Sequence, residues 1–147
     1  MTGPADPADP ADAERRARFL AEPFAVLATH GPGGRLDLVP CCFALDPADG
    51  ALVTAVDHKP KRHQRLARLA NVEADPNVSL LADHRDPDDW SALWWIRVHG
   101  TGRVVAGGPE HERAVAALAA KYRQYRERPP DGPVIRIVPL RWTGWSP

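Results

Sequence analysis

Residues 51–82 read ALVTAVDHKPKRHQRLARLANVEADPNVSLLA, and the fold turns on this stretch. It opens with a short β-leaning apolar run, Ala51–Val56, and closes with another, Asn77–Ala82. Between them, 62–74 sets Leu66, Leu69 and Ala70 at helical spacing with basic residues interleaved. A strand, a helix and a strand in succession could be one unit of a doubly wound parallel sheet. The rest of the chain decides against that, because no second such unit follows.

On the N-terminal side, Phe24–Thr29 is an apolar run, and His30-Gly31-Pro32-Gly33-Gly34 supplies turn chemistry. Leu36–Leu45 then reads as the partner strand of a hairpin. Pro40 inside it marks an edge, a bulge or a place where backbone donors leave the ladder. Asp46-Pro47-Ala48-Asp49-Gly50 is a further turn. On the C-terminal side, a polar loop at 84–89 leads into Leu93–Val105, a long strand interrupted at Gly100 and Gly102. Gly108-Pro109 opens a helix with Val115, Leu118, Ala119 and Tyr122 on one face. Its acids, Glu110 and Glu112, come early and its bases, Lys121, Arg123 and Arg126, late, as the macrodipole favours. Pro129-Pro130 ends it, and Val134–Trp145 is a last strand.

These readings sum to six strands, mostly joined by tight turns, with two to three flanking helices: a mainly β, α+β chain forming an antiparallel barrel or sandwich. Residues 1–13, MTGPADPADPADA, hold no large apolar side chain and read as a disordered acidic tail, leaving 14–147 as one domain. Within that domain 14–22, ERRARFLAE, suits one or two helical turns ending before Pro23.

Composition narrows the function. Lys plus Arg and Asp plus Glu stand at 19 each, so no general surplus of positive charge is present to bind nucleic acid. The cysteines are neighbours, Cys41 and Cys42, whose side chains point to opposite faces of a strand. A reduced, cytoplasmic protein follows from that pair and from the lack of any apolar run near the ~18 residues of a membrane span. The histidines show no zinc spacing, so no metal is expected. Gly100-Thr101-Gly102 lacks the third glycine of a dinucleotide fingerprint, and no Walker loop or Gly-x-Ser-x-Gly is present.

One segment stands out against this neutrality. Asp57–Arg68, DHKPKRHQRLAR, carries Lys59, Lys61, Arg62, Arg65 and Arg68 against one acid. It sits where a strand gives way to a helix, so free backbone N–H groups and a positive dipole end meet the basic side chains. That suits a phosphate, with Thr54 on the preceding strand as a hydroxyl donor and Pro60 stiffening the loop between the lysines. A solvated basic helix start without a ligand is the alternative, and the residues alone leave both open. Trp94-Trp95 places large rings on both faces of one strand, which points to a dimer.

The order of these elements, with LVTAVDHKPKRHQRLARLANVEADPNVSLLAD at its centre, resembles the pyridoxamine-phosphate-oxidase-like split β-barrel superfamily. With DDWSALWWIRVHGTG, KYRQYRERPPDGPVIRI and RWTGW added, it resembles the actinobacterial subgroup described as probable F420-dependent enzymes. The resemblance covers roughly residues 15–145. It implies a homodimer with two cofactor sites at the interface, taking F420 or, alternatively, FMN. Lys59 and Lys61 match the loop that holds the cofactor phosphate, with Thr54 and Arg62 beside them. Val39, Pro40 and Cys41 fall on the strand that runs along the ring, where backbone groups freed by Pro40 would face it. Trp95 and Arg97 are implied as partners across the interface. No catalytic acid or base carries over, since the cofactor does the hydride chemistry. RWTGWSP also departs from the Arg-rich ending of a true pyridoxamine-phosphate oxidase. A cofactor or tetrapyrrole carrier without turnover is the remaining class.

Overall fold

A computed structural model describes residues 10–56 and 62–147. Among the described residues, seven strands form one antiparallel sheet: β1 (Ala25–His30), β2 (Leu36–Cys41), β3 (Ala44–Leu45), β4 (Leu52–Ala55), β5 (Asn77–His84), β6 (Trp94–Val105) and β7 (Val134–Trp145). Four helices accompany them: α1 (Pro10–Leu20), α2 (Arg62–Ala74), α3 (Pro109–Lys121) and α4 (Arg123–Glu127). The sheet order is β2-β1-β5-β6-β7-β4-β3.

That order dictates the shape. β2 and β3 are the two edges of the sheet, yet only Cys42 and Phe43 separate them in the chain. Three Cα steps span ~10 Å at most. The sheet must therefore curl until its edges almost meet, as a barrel split along one seam.

The alternation along each strand now has a meaning. Leu27, Leu80, Val98 and Trp142 point inward from neighbouring strands and are buried together with Phe19, Phe43 and Ile137. Each fully buried Leu, Ile or Phe here contributes roughly 1.5–3 kcal/mol. Phe19 of α1 caps one end of this interior, 4.7 Å from the Phe43 ring and 5.5 Å from Trp142. A second cluster lies on the other side of the sheet, where Ala114 and Leu118 of α3 cover Val53, Val105 and Val134.

Three expectations are corrected. The run Leu36–Leu45 is two strands, not one, so the strand count is seven rather than six. The long C-terminal helix breaks at Tyr122, whose φ of −116° and ψ of 125° are extended, which makes α3 and α4 separate helices. The first helix starts at Pro10, so residues 10–13 form its opening turn instead of belonging to a tail. Proline suits the first helical position, and Asp12 in that turn accepts from Arg15 at 3.2 Å.

β6 and β7 pair over most of their length with a register shift between His99 and Gly100. A Cβ on Gly100 would lie 2.5 Å from the Val138 carbonyl oxygen, so glycine is required for the strands to approach this closely.

Candidate cofactor site

The seam between β2 and β3 is where the implied ring-binding strand turns from one edge of the sheet to the other. Leaving the ladder frees the backbone groups of Cys42 and Phe43, and each freed buried group needs a partner. The Thr54 hydroxyl, on a residue only 1% exposed, donates to the Cys42 carbonyl at 2.7 Å. Tyr122 does the rest. Its phenol oxygen accepts from the Phe43 N–H at 3.0 Å, and its one proton lies between the carbonyls of Pro23 at 2.7 Å and Phe43 at 2.9 Å. Burial pushes the phenol well above its usual range, against the pull of the Phe43 N–H, so it stays protonated. Next to it, the Lys121 Nζ sits 3.7 Å from the centre of the Phe43 ring, is buried and has no hydrogen-bond partner among the described residues. Burial draws that ammonium down to about 8, opposed by Cys42, Glu22 and Cys41.

This corrects the role expected of Pro40. It pairs with Val26 in an unbroken β1–β2 ladder, and because β2 is an edge strand its missing N–H disrupts nothing. The ladder breaks two residues later, and the freed groups are taken by Thr54 and Tyr122. Val39 and Cys41 point into the barrel, half-buried and buried respectively, while Pro40 lies exposed on the outside.

Trp95 and Arg97 share that outer face. The Arg97 guanidinium lies over the Trp95 ring, 5.4 Å from its centre, a cation–π pair. Register places Pro40, Val26, Leu81, Arg97 and Thr143 in one row across five strands, flanked by Leu38, Ala28, Ser79, His99 and Arg141 in the next. Leu36, Leu38 and Leu81 are exposed here at 66%, 70% and 38%, apolar side chains on the outward face of the sheet. Arg62 begins α2, and Thr54 lies on β4 just before the basic segment. Lys59 and Lys61 lie outside the described residues. The fold brings Pro40, Trp95 and Arg97 onto one face, a grouping the sequence does not give, and the sequence does not anticipate Tyr122 or Lys121 either. Their only signal is a Lys-Tyr pair at the end of an amphipathic helix.

A family model described as pyridoxamine 5'-phosphate oxidase matches residues 11–146. The chain belongs to that family. Solved structures agree on the fold. A conserved hypothetical protein from Mycobacterium tuberculosis is 22% identical with a TM-score of 0.71, covering 91% of this chain and 83% of that one. A FAD-binding protein from Mesorhizobium loti is 16% identical at TM-score 0.65, covering 90% and 91%. The heme storage protein of Vibrio cholerae is 17% identical at 0.65, covering 94% and 93%. No curated protein matches the sequence closely enough to count as a relative. Identities this low carry the fold and nothing finer, so within the pyridoxamine 5'-phosphate oxidase family the ligand must be argued from this chain's own residues. No described helix is long and apolar enough to cross a membrane.

Proposed function

We propose that this protein is a cytoplasmic, homodimeric oxidoreductase of the pyridoxamine 5'-phosphate oxidase family that uses F420, passing hydride to a small unsaturated substrate. The observation that carries this reading is the segment DHKPKR, which joins β4 to α2 in an otherwise neutral chain. Lys59, Lys61 and Arg62 supply the cations that a phosphorylated, acidic cofactor tail requires. The donor set on the outer face also suits a planar anion: Trp95 offers a ring, Arg97 a charge beside it.

When bound, the deazaflavin supplies the hydride. The chain's own work is to bind and orient it. The basic segment would hold the phosphate, the stretch 39–43 would support one edge of the ring, and the apolar outer face would close over it and exclude water. A second copy of this chain is the natural cover for that face, because Leu36, Leu38 and Leu81 leave a large apolar area facing solvent.

Titration of the purified protein with F420 tests the reading, with saturable binding at micromolar cofactor expected; an unsaturable response rules it out. Lys61→Ala should weaken binding by about 1.5–3 kcal/mol while leaving the thermal midpoint in place. Leu38→Asp should convert the dimer to monomer in sedimentation velocity. FMN is the second reading, favoured by the family and by the likeness to a FAD-binding protein. Flavin absorbance in the freshly purified protein would select it. A tetrapyrrole carrier is the third, favoured by the likeness to a heme storage protein. A Soret band that titrates to one equivalent of heme, with no turnover on reduced cofactor, would select that.

A further inference from the structure

We propose that Tyr122 is a positioning residue for the cofactor, acting through the strand it fastens and not by touching the ligand. This deepens the proposed function and rests on the reading that residues 39–43 lie along the cofactor ring.

The seam is the one place where the path of that strand is not set by a neighbouring strand. After Cys41 the chain leaves β1, and before Ala44 it has not yet met β4. Over Cys42 and Phe43 side-chain hydroxyls hold the main chain, Thr54 at the Cys42 carbonyl and Tyr122 at both backbone groups of Phe43. Tyr122 reaches it from 79 residues away and simultaneously binds Pro23, 99 residues away, so one oxygen ties the start of β1, the seam and the end of α3 together. The helix is interrupted at Tyr122 itself, where the extended backbone separates α3 from α4. Phe43 is then fixed twice over. Tyr122 holds its backbone N–H and carbonyl, while the Lys121 Nζ, 3.7 Å from the ring centre, and Phe19, 4.7 Å away ring to ring, hold its side chain. A cofactor resting on residues 39–41 therefore rests on a strand whose downstream anchor is Tyr122. Removing the phenol oxygen lets that strand sample other paths, and the bound ring loses a fixed support.

The role differs from plain stabilisation in what it predicts. Tyr122→Phe keeps the ring and its edge-on contact with Tyr125, 5.7 Å between centres, and deletes only the hydroxyl. Leu118→Ala, one turn earlier in α3 and fully buried, removes packing but no anchor. Wild type and both variants are titrated with F420 and with FMN, following affinity and the absorption band of the bound cofactor. Tyr122→Phe should weaken binding about five- to tenfold and shift that band. Leu118→Ala, despite a larger drop in thermal midpoint, should match wild type in both. Equal affinity and an unshifted band in Tyr122→Phe, or equal weakening in Leu118→Ala, overturns the inference. Should Tyr122→Phe fail to fold, the Phe43 amide in wild type decides. Coupling is reciprocal, so saturating F420 must slow its hydrogen exchange by a similar factor, and an unchanged rate overturns the role. Wild type that binds neither cofactor overturns the proposed function and this inference together. Binding by wild type with an indifferent Tyr122→Phe overturns this inference alone.

Discussion

At the β2–β3 seam the fastening bonds run between hydroxyls and backbone, whereas a few residues further on, at the β3–β4 turn, they run between ions. Arg136 of β7 is 3% exposed, donates to Asp46 at 2.9 Å and to Asp49, and pairs its Nε with the Glu110 carboxylate at 3.0 Å. Arg113 adds a second bond to Asp46 at 3.0 Å, and Arg103 a second to Glu110. Asp46 is wholly buried, and its carboxylate also accepts from the Ala48 N–H in a turn closed by Gly50 at φ +76°. Burial pushes the Asp46 pKa upward, but Ala48, Arg136 and Arg113 outweigh it and hold the group below the usual carboxylate range. The two regions do the same job, tying a sheet edge to α3, and respond to different perturbations. Charge pairs are strong only while both partners are ionised, and a neutral phenol is indifferent to salt and to acid.

The largest expected effect breaks the ionic region. Arg136→Ala removes the buried cation shared by Asp46, Asp49 and Glu110, leaves the half-exposed Arg113 as the cation on buried Asp46, and should lower unfolding free energy by about 3–5 kcal/mol in urea titration. A loss below ~1 kcal/mol would mean that the network behaves as a surface one. Tyr122→Phe comes next, at about 1–3 kcal/mol, because the Phe43 N–H is left without an acceptor. Its loss should be the same in low and high salt, whereas that of Arg136→Ala should not. Acid sharpens the contrast further. The folded Asp46 pKa is depressed, so its contribution is complete above the unfolded value near 4 and is lost as pH falls through the lower folded one. Asp46→Asn should flatten that acid limb, and Tyr122→Phe should leave it alone. The smallest effect sits at alkaline pH beside the neutral seam. Lys121 titrates at about 8 in the folded state against 10.5 ordinarily, so the unfolded chain holds the extra proton between those values and stability rises with pH there. Lys121→Met should remove the slope, and a slope that persists assigns it elsewhere.

Much of this fold is legible in the sequence where local pattern and tertiary environment agree. β1, β5, β6 and β7 fall close to their apolar runs, and α2 and the start of α3 carry their own spacing and charge order. The seam is illegible for a physical reason. Cys42 and Phe43 bear no turn chemistry, and the groups that let the chain leave the ladder there, Tyr122 and Thr54, come from distant or adjacent strands and helices. The same holds for Arg136. In VIRIV it reads as an outward polar position of an alternating strand, and only the fold reveals three acids waiting for it. Of the candidate site, the shared face of Pro40, Trp95 and Arg97 follows from strand parity once the register is known. The inward aim of Val39 and Cys41 follows from the same parity read one residue over.

Helix α1 has a practical consequence. Phe19 closes one mouth of the barrel, and its contacts are Phe43 and Trp142, the ring at the seam and the last buried aromatic of β7. A chain trimmed to begin at Phe24 would uncork the barrel. Water would reach the Phe43 ring, and a sheet whose edges are joined through Cys42 and Phe43 would lose its inner support at that one point. Proteolysis between α1 and β1 should therefore release more than a terminal helix; it should open the barrel along the split.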